Sequence, residues 1–386
     1  MVELLAPVRD ETSFTAAVNA GADAVYFGVG ELNMRINSKG IDIKDLKRIV
    51  KKAHEKEVKV YVTVNTIVYD NELKLADKIL KKIKQSKADA IICWDPAIIE
   101  KAKELGLEIH ISTQANISNT KAANFYKELG ATRIVLAREL TLKQIKEIKT
   151  DLEIEVFIHG AMCVSVSGRC FMSQFLHGRS ANRGDCLQPC RREYEVTDVE
   201  TKDQLKISNG FVMSPKDLCT LPILDKIVKV ANVLKIEGRS RSPEYIKTVT
   251  EVYRVAIDAI ENKKFNKTLV KKLTKKLEKV YNRGFSTGFL LGRPSPKDWN
   301  DGYGSKAKES KQYAGRILNY YKKAKIALVK IESNQIKTGD KIQIHGPTTG
   351  VIEFILKEIK GEDKEITFPC EKIVRKNDQV FLIKET

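Results

Sequence analysis

The stretch ELLAPVRDE, residues 3–11, decides the fold. It begins as a short apolar run and turns polar without a glycine-rich loop. An open dinucleotide-binding sheet would carry G-x-G-x-x-G at this first strand-to-helix turn, so that backbone N–H groups could approach a phosphate. Here the turn reads APVRDE. Seven further runs of β type follow it: AVYFGV (24–29), KVYVTVNT (59–66), AIICWD (90–95), EIHISTQAN (108–116), RIVLAREL (133–140), EIEVFIHG (153–160) and VLKIEGR (233–239). Segments such as DIKDLKRIVKKAHEK and NELKLADKILKKIKQSK lie between them, with apolar residues recurring at three and four. This alternation predicts parallel strands covered by helices. Eight strands count out an α/β fold, a (β/α)8 TIM-like barrel, with the doubly wound sheet as the alternative.

In a barrel, chemistry gathers at the C-terminal strand ends. Those ends supply Pro7, Asn65, Asp95, Gln114, Arg138, Glu139, His159, Glu237 and Arg239, a polar set suited to a hydrogen-bonding ligand. Some 70 residues separate the seventh strand from the eighth, far beyond a usual connection. The sequence divides into a barrel over 1–262 with an insertion at about 161–220, a basic helix and linker over 263–311, and a small C-terminal β-barrel domain over 312–386. The last is read from AKIALVKI, IKTGDKIQIHG, GVIEFILKEI and DQVFLI, punctuated by turns.

The chain has 386 residues and a net charge of +18. Residues 262–283 hold nine Lys or Arg against one acid, and residues 306–325 hold seven against one. Such concentration is an electrostatic footprint for RNA or DNA; soluble helix faces are the plainer explanation. Tyr313, Tyr320 and Tyr321 interleave with the second basic run, as stacking platforms or as packing groups. The start MVELLAPVRDETSF lacks the basic region and long apolar run of a signal peptide. No run reaches about 18 apolar residues. A cytoplasmic protein with no membrane partner is expected, in which clustered cysteines are metal ligands or redox groups.

Four of the seven cysteines lie close together as Cys163-x6-Cys170-x15-Cys186-x3-Cys190. Four thiolates can close the coordination of an iron–sulfur cluster or, as the weaker option, zinc. The paired C-x2-C knuckles of structural zinc are absent. So are H-E-x-x-H and G-x-S-x-G, the marks of zinc and serine hydrolases.

The pattern Glu155-x-Phe157-x-x-Gly160-Ala161-Met162-Cys163-x4-Gly168-x-Cys170-x-Met172-Ser173, with ELLAPV, AGADAVYFGVG, SANRGDCLQPCR, SPKDLC and KIEGRSRSPEYI, resembles peptidase family U32, the collagenase-like proteases. The likeness covers roughly residues 1–262, and the C-terminal segment is similar to the second domain of translation elongation factors. The family name implies proteolysis. Its better-understood members imply oxygen-independent hydroxylation of a pyrimidine in tRNA or rRNA, with a 4Fe–4S cluster and prephenate as cosubstrate. A quinone-precursor branch fits less well with so much positive charge. The resemblance implies Cys163, Cys170 and Cys186 as ligands, with Cys190 or Cys219 as the fourth. RNA and a small carboxylate are the implied partners, with an electron or sulfur-cluster donor as a further candidate.

Around this centre, His159 is a candidate proton shuttle or a core histidine. Glu237 is a proton acceptor or an arginine partner. Gln114 and Asn65 could read a base edge through their amides. Arg138, Arg179, Arg183 and Arg239 are candidate substrate-binding groups. Together with Arg169, Arg191 and Arg192, the two insertion arginines among them would bind phosphate or carboxylate or offset thiolate charge. A non-catalytic RNA-binding assembly factor and a peptidase are the rival functions.

Overall fold

A computed structural model describes residues 2–35, 40–205, 213–302, 304–361 and 364–386. The eight strands form as follows: β1 Glu3–Pro7, β2 Ala24–Gly28, β3 Lys59–Thr63, β4 Ala90–Cys93, β5 Ile109–Ile111, β6 Ala131–Val135 and β7 Glu153–Gly160, and after an insertion the eighth, Val233–Ile236. Three short strands precede the eighth in the chain: β8 Val196–Thr197, β9 Gln204–Leu205 and β10 Asp217–Cys219; the eighth is therefore β11. Each barrel strand pairs in parallel with the next, and β11 pairs in parallel with both β7 and β1, so the cylinder closes. Closure leaves the eight-stranded cylinder itself without a free edge. Several strands stop short of their apolar runs: the run at 108–116 ends as a strand at Ile111 and continues as a 3-10 turn over Thr113–Ala115. The polar ends of these runs leave the ladder and form the mouth.

Outside lie α1 Glu11–Asn19, α2 Leu46–His54, α3 Leu73–Ser86, α4 Pro96–Glu104, α5 Thr120–Glu128, α6 Leu142–Glu147, α7 Met172–His177, α8 Leu224–Ile227, α9 Pro243–Glu261 and α10 Lys267–Leu277. Their starts are written locally. Asp10, Asp95, Asn119, Thr141 and Asn266 each accept a backbone N–H in the first turn of the following helix. Asp95 is therefore a helix cap, and it also accepts from Val68 N at 3.2 Å. Among the described residues no helix is long and apolar enough to cross a membrane.

The segment read as a linker is stitched onto the barrel. β12, Phe285–Ser286, pairs in parallel with β10, and Leu142 N donates to the carbonyl of buried Leu290 at 3.0 Å. Phe285, Phe289 and Leu290 have apolar surface to bury, which draws the segment inward. The C-terminal part is a six-stranded antiparallel sheet of β13 Glu309–Tyr321, β14 Ile326–Ile331, β15 Lys341–Gly346, β16 Gly350–Ile355, β17 Glu365–Pro369 and β18 Gln379–Glu385, in the order β16-β15-β18-β13-β14-β17. It has its own core around Ile317, Val329, Ile344 and Val380. It meets the barrel where Thr15 Oγ1 donates to Pro347 O at 2.6 Å and Lys311 pairs with Glu244 at 3.0 Å.

Toward the N-terminal end, the cylinder is filled by charge rather than only by aliphatic layers. Arg133, 2% exposed, reaches Glu3 at 2.8 Å, Glu153 at 2.7 Å and Glu155 at 3.6 Å. Lys235 holds the fully buried Glu155 at 2.6 Å. Burial pushes the Glu155 carboxyl up, but Lys235 and Arg133 outweigh it and hold the group below its ordinary value. Removing Glu155 would strand the buried Lys235 and leave Arg133 with Glu3 and Glu153 alone. Glu155→Ala is expected to cost about 3–5 kcal/mol in urea unfolding. Glu153→Ala, at a half-exposed partner, should cost no more than about 1 kcal/mol. Equal losses would contradict the buried network.

Candidate active site at the barrel mouth

The 72 residues between β7 and β11 begin at a glycine the geometry requires. Gly160 has φ +107°, and a Cβ there would lie 2.6 Å from the Glu237 carbonyl oxygen. β7 and β11 run together up to this point, where Glu237 N donates to His159 O at 2.8 Å, and β7 must then turn away. The insertion returns to the mouth at Gly184, φ +87°, whose missing side chain makes room for the backbone of Asn33–Arg35. Asn116 Nδ2 ties it down again by donating to Ser167 O at 3.3 Å.

Cys163 and Cys186 are exposed, and Cys170 and Cys190 are half-buried. The four thiols share one neighbourhood. Burial pushes Cys190 up, Arg191 opposes it, and Cys163, Cys186 and Cys170 push it up again. Cys186 is raised by burial and then by Cys170 and Cys163, against the Gln188 N–H and Arg35. Cys219 stands apart. It is buried on β10, receives a hydrogen bond from the Tyr253 hydroxyl at 3.8 Å, and burial drives its thiol to about 11. None of the clustered thiols is among the causes of that shift. Among the described residues no three His, Cys, Asp or Glu side chains already stand in metal-binding geometry. Cys93 and Cys370 are buried.

Most insertion arginines are occupied by the protein itself. Arg183 pairs with Glu72 and lies 4.6 Å from the Tyr69 ring. Arg179 pairs with Asp185. Arg191 bonds the backbone of Pro215 and Met162, and Arg169 sits 5.2 Å from the Trp94 ring. Arg183 and Arg169 pin the insertion to the loops after β3 and β4, while Arg191 ties its start to the segment just before β10. Arg138 stays with the thiols: it stacks 4.0 Å from the Phe157 ring and donates to Ala161 O at 2.9 Å. Its buried Nε has no partner among the described residues.

Glu237 is buried and pairs with Arg35 at 3.1 Å. Burial raises its carboxyl, and Arg35, Arg241 and Arg138 together bring it below the ordinary value, so it is a carboxylate at neutral pH. Asn65 and Gln114 are buried in one amide chain: Gln114 Nε2 donates to Asn65 O at 3.2 Å, Ser112 donates to Gln114 Oε1, and Asn65 Oδ1 accepts from Met34 N at 3.2 Å. Both amides are thereby held in the protein's own network. Sequence reasoning missed Arg35, Asn33 and Trp94, which lie in loops beyond the strand ends. Trp94 Nε1 donates to Asn65 O at 3.1 Å. His54, His110 and His345 each take structural partners: Asp89, the Tyr61 ring and Gln343. Tyr313 and Tyr320 are hydrogen-bonded within the β-domain to Glu332 and Cys370 O, while Tyr321 is exposed.

His159 is 2% exposed among the rings of Tyr245, Tyr253 and Phe285, with Nδ1 3.3 Å from the Tyr253 hydroxyl. Burial pushes its pKa down to about 3, so the ring is neutral. In the unfolded chain it protonates near about 6.5. The stability of the neutral ring is therefore complete above that value and is lost as pH falls toward 3. At about pH 4.5 the loss should be on the order of 2–3 kcal/mol. His345, driven to about 4 by burial, contributes with the same sign. The difference in urea stability between pH 7 and about pH 4.5 should shrink in His159→Gln; an unchanged difference would show that the ring is charged in the fold.

Residues 9–300 match the model of peptidase family U32. An uncharacterized protease of Methanocaldococcus jannaschii is 41% identical over 407 aligned residues, covering 100% of this chain and 99% of its own. A collagenase of Porphyromonas gingivalis is 39% identical, covering 98% and 97%. The tRNA hydroxylation protein P1 of Bacillus subtilis is 35% identical, covering 94% and 87%. The cysteine-bearing insertion on a closed barrel thus falls inside the matched region, and the chain belongs to peptidase family U32.

Proposed function

We propose that this chain hydroxylates a pyrimidine in tRNA or rRNA without molecular oxygen, with Cys163, Cys170, Cys186 and Cys190 holding a 4Fe–4S cluster and prephenate as cosubstrate. One observation carries the reading: four cysteines on one insertion at a barrel mouth, in a chain similar over nearly its whole length to a tRNA hydroxylation protein. The donor set suits an iron–sulfur group in type and number, and binding would draw the four sulfurs in. Such a cluster supplies one-electron chemistry when bound.

The remaining work falls to the chain. Arg138 beside Cys163 offsets thiolate charge. Phe171 and Phe175, the latter 88% exposed, present aromatic faces from the same insertion on which an unstacked base can rest. Base unstacking is required because ring carbons are shielded within a helix. Lys267, Lys271, Lys272, Lys275 and Lys276 of α10 are exposed, with no ion pair among the described residues. Just past α10, Arg283 pairs with Asp217 at 3.4 Å and donates to Gln188 Oε1 at 3.1 Å, so the basic helix leads directly into the insertion.

Proteolysis, the activity in the collagenase's name, would in this cysteine-rich insertion need an imidazole poised to activate a thiol. His159, four residues before Cys163, is buried among aromatic rings with its Nδ1 against the Tyr253 hydroxyl, which argues against that role.

Protein purified without oxygen is expected to be coloured and to contain iron, and Cys190→Ser should lose both while Cys219→Ser keeps them. Nucleoside mass spectrometry of RNA from a strain lacking the protein should show one pyrimidine lighter by an oxygen. Unchanged RNA together with casein cleavage that requires Cys163 would favour the peptidase. Replacing Lys271, Lys272, Lys275 and Lys276 with Gln should weaken RNA binding regardless of sequence. It should also flatten the slope of log affinity against log salt by about one unit for each phosphate no longer neutralised. Fluorescence anisotropy across a salt series measures both.

A further inference from the structure

Leu187, Gln188 and Pro189 separate Cys186 from Cys190, and the middle one of the three has a left-handed backbone, φ +55° and ψ +46°. That region is costly for a residue with a long side chain; glycine or asparagine is its usual occupant. Gln188 is exposed, so its own burial does not offset the cost. Three of its polar groups are engaged instead. The backbone N–H donates to Cys186 Sγ at 3.3 Å. The carbonyl oxygen accepts from Arg191 N at 2.9 Å and so opens the 3-10 turn Pro189–Arg191, which carries Cys190. The side-chain Oε1 accepts from Arg283 Nη2 at 3.1 Å. One residue thus sets both flanking cysteines and is itself held from outside the insertion.

The group that holds it is fixed in turn. Arg283 is 5% exposed, and its backbone N–H and Nη1 both donate to the carboxylate of buried Asp217, at 3.2 and 3.4 Å. That leaves Nη2 for Gln188. Asp217 lies on β10, which pairs with β7 and therefore with the barrel wall. Arg191 frames the turn from its other side: Nη1 donates to Pro215 O at 2.7 Å, and Nη2 donates to Met162 O, beside Cys163. The turn that bears Cys186 and Cys190 is registered through these two arginines against the segment entering β10 and the chain just past α10.

We propose that Gln188 is a positioning residue: clamped by Arg283, it fixes Cys186 and Cys190 at the spacing a shared metal centre needs. The role toward a metal rests on reading the clustered thiols as one centre; the clamp on the turn does not. Groups that orient metal ligands from outside the coordination shell weigh heavily in metal affinity, and an N–H aimed at a cysteine sulfur tunes an iron–sulfur centre. A mere loop residue at this position would be better replaced by asparagine, which adopts left-handed backbone readily. A clamped one would not, because the asparagine amide ends one carbon short of Arg283.

The test compares Gln188→Asn, Gln188→Glu, Arg283→Gln and the double variant of Gln188→Asn with Arg283→Gln, all in the full chain. Amide hydrogen exchange, read by mass spectrometry on metal-free protein, is expected to quicken about tenfold over residues 186–191 in Gln188→Asn, as a hydrogen bond to a charged group is lost. Urea stability should not change. Gln188→Glu still offers Arg283 an oxygen and should exchange as the parent does. The double variant should exchange no faster than Gln188→Asn alone, because both changes break one contact. In protein purified without oxygen, Gln188→Asn should lose iron to a chelator about tenfold faster, and Gln188→Glu should hold it. Parental exchange and iron retention in Gln188→Asn would overturn the proposal. So would additive effects in the double variant, or exchange in Gln188→Glu as fast as in Gln188→Asn. Should Arg283→Gln not fold, the asparagine and glutamate variants decide alone. An iron-free parent protein would end the cluster reading, while exchange in the metal-free chain still decides whether Gln188 clamps the turn.

Discussion

Where β7 and β11 part company, the Glu237 carbonyl occupies the space a side chain on Gly160 would need. Nearly every feature of the mouth depends on that approach. It brings β7 close enough for Glu237 N to bond His159 O, which seats the histidine among aromatic rings and sets the glutamate beside Arg35. It also releases the chain at an angle that carries Cys163 out to solvent three residues later. A Cβ at this point would have to move backbone, not a flexible side chain, and backbone in a closed parallel barrel has little room to yield.

Charge is handled differently at the two ends of the cylinder. The floor encloses cations and carboxylates together, so that each is compensated within the protein, an arrangement that specifies register more than it adds stability. The mouth has an excess of guanidinium over carboxylate, apart from the thiols. Excess cation beside four cysteines suits a centre that carries negative charge when deprotonated. The insertion arginines stand outside this excess. Arg179, Arg183 and Arg191 hold the insertion in place through Asp185, Glu72 and backbone carbonyls.

Much of this was readable from the chain itself. Eight short apolar runs, separated by helical periodicity, specify eight buried parallel strands because that pattern buries both faces of a sheet. The absence of a glycine-rich turn after ELLAPV separated barrel from open sheet. Helix starts at Asp10, Asp95, Asn119 and Thr141 are local decisions, made by a side-chain oxygen and the N–H two or three residues on. The clustering of the cysteines was likewise legible, because four thiols within 28 residues need no long-range pairing to be neighbours.

Residue roles at the mouth were decided only by the folded chain. Asn65, Gln114 and Glu237 are polar strand ends in sequence, but whether an amide faces a ligand or another amide depends on strands that are distant in sequence and adjacent in space. Arg183 and Arg239 look alike in one dimension; in three, Glu72 pairs with the first, and among the described residues no carboxylate pairs with the second. Cys190 and Cys219 both stood as fourth thiol, and the pairing of β10 with β7 carried Cys219 into the core. Pattern and propensity act over a few residues and so can be read along the chain. Partnership between charges is set by through-space distance, which exists only once the barrel has closed.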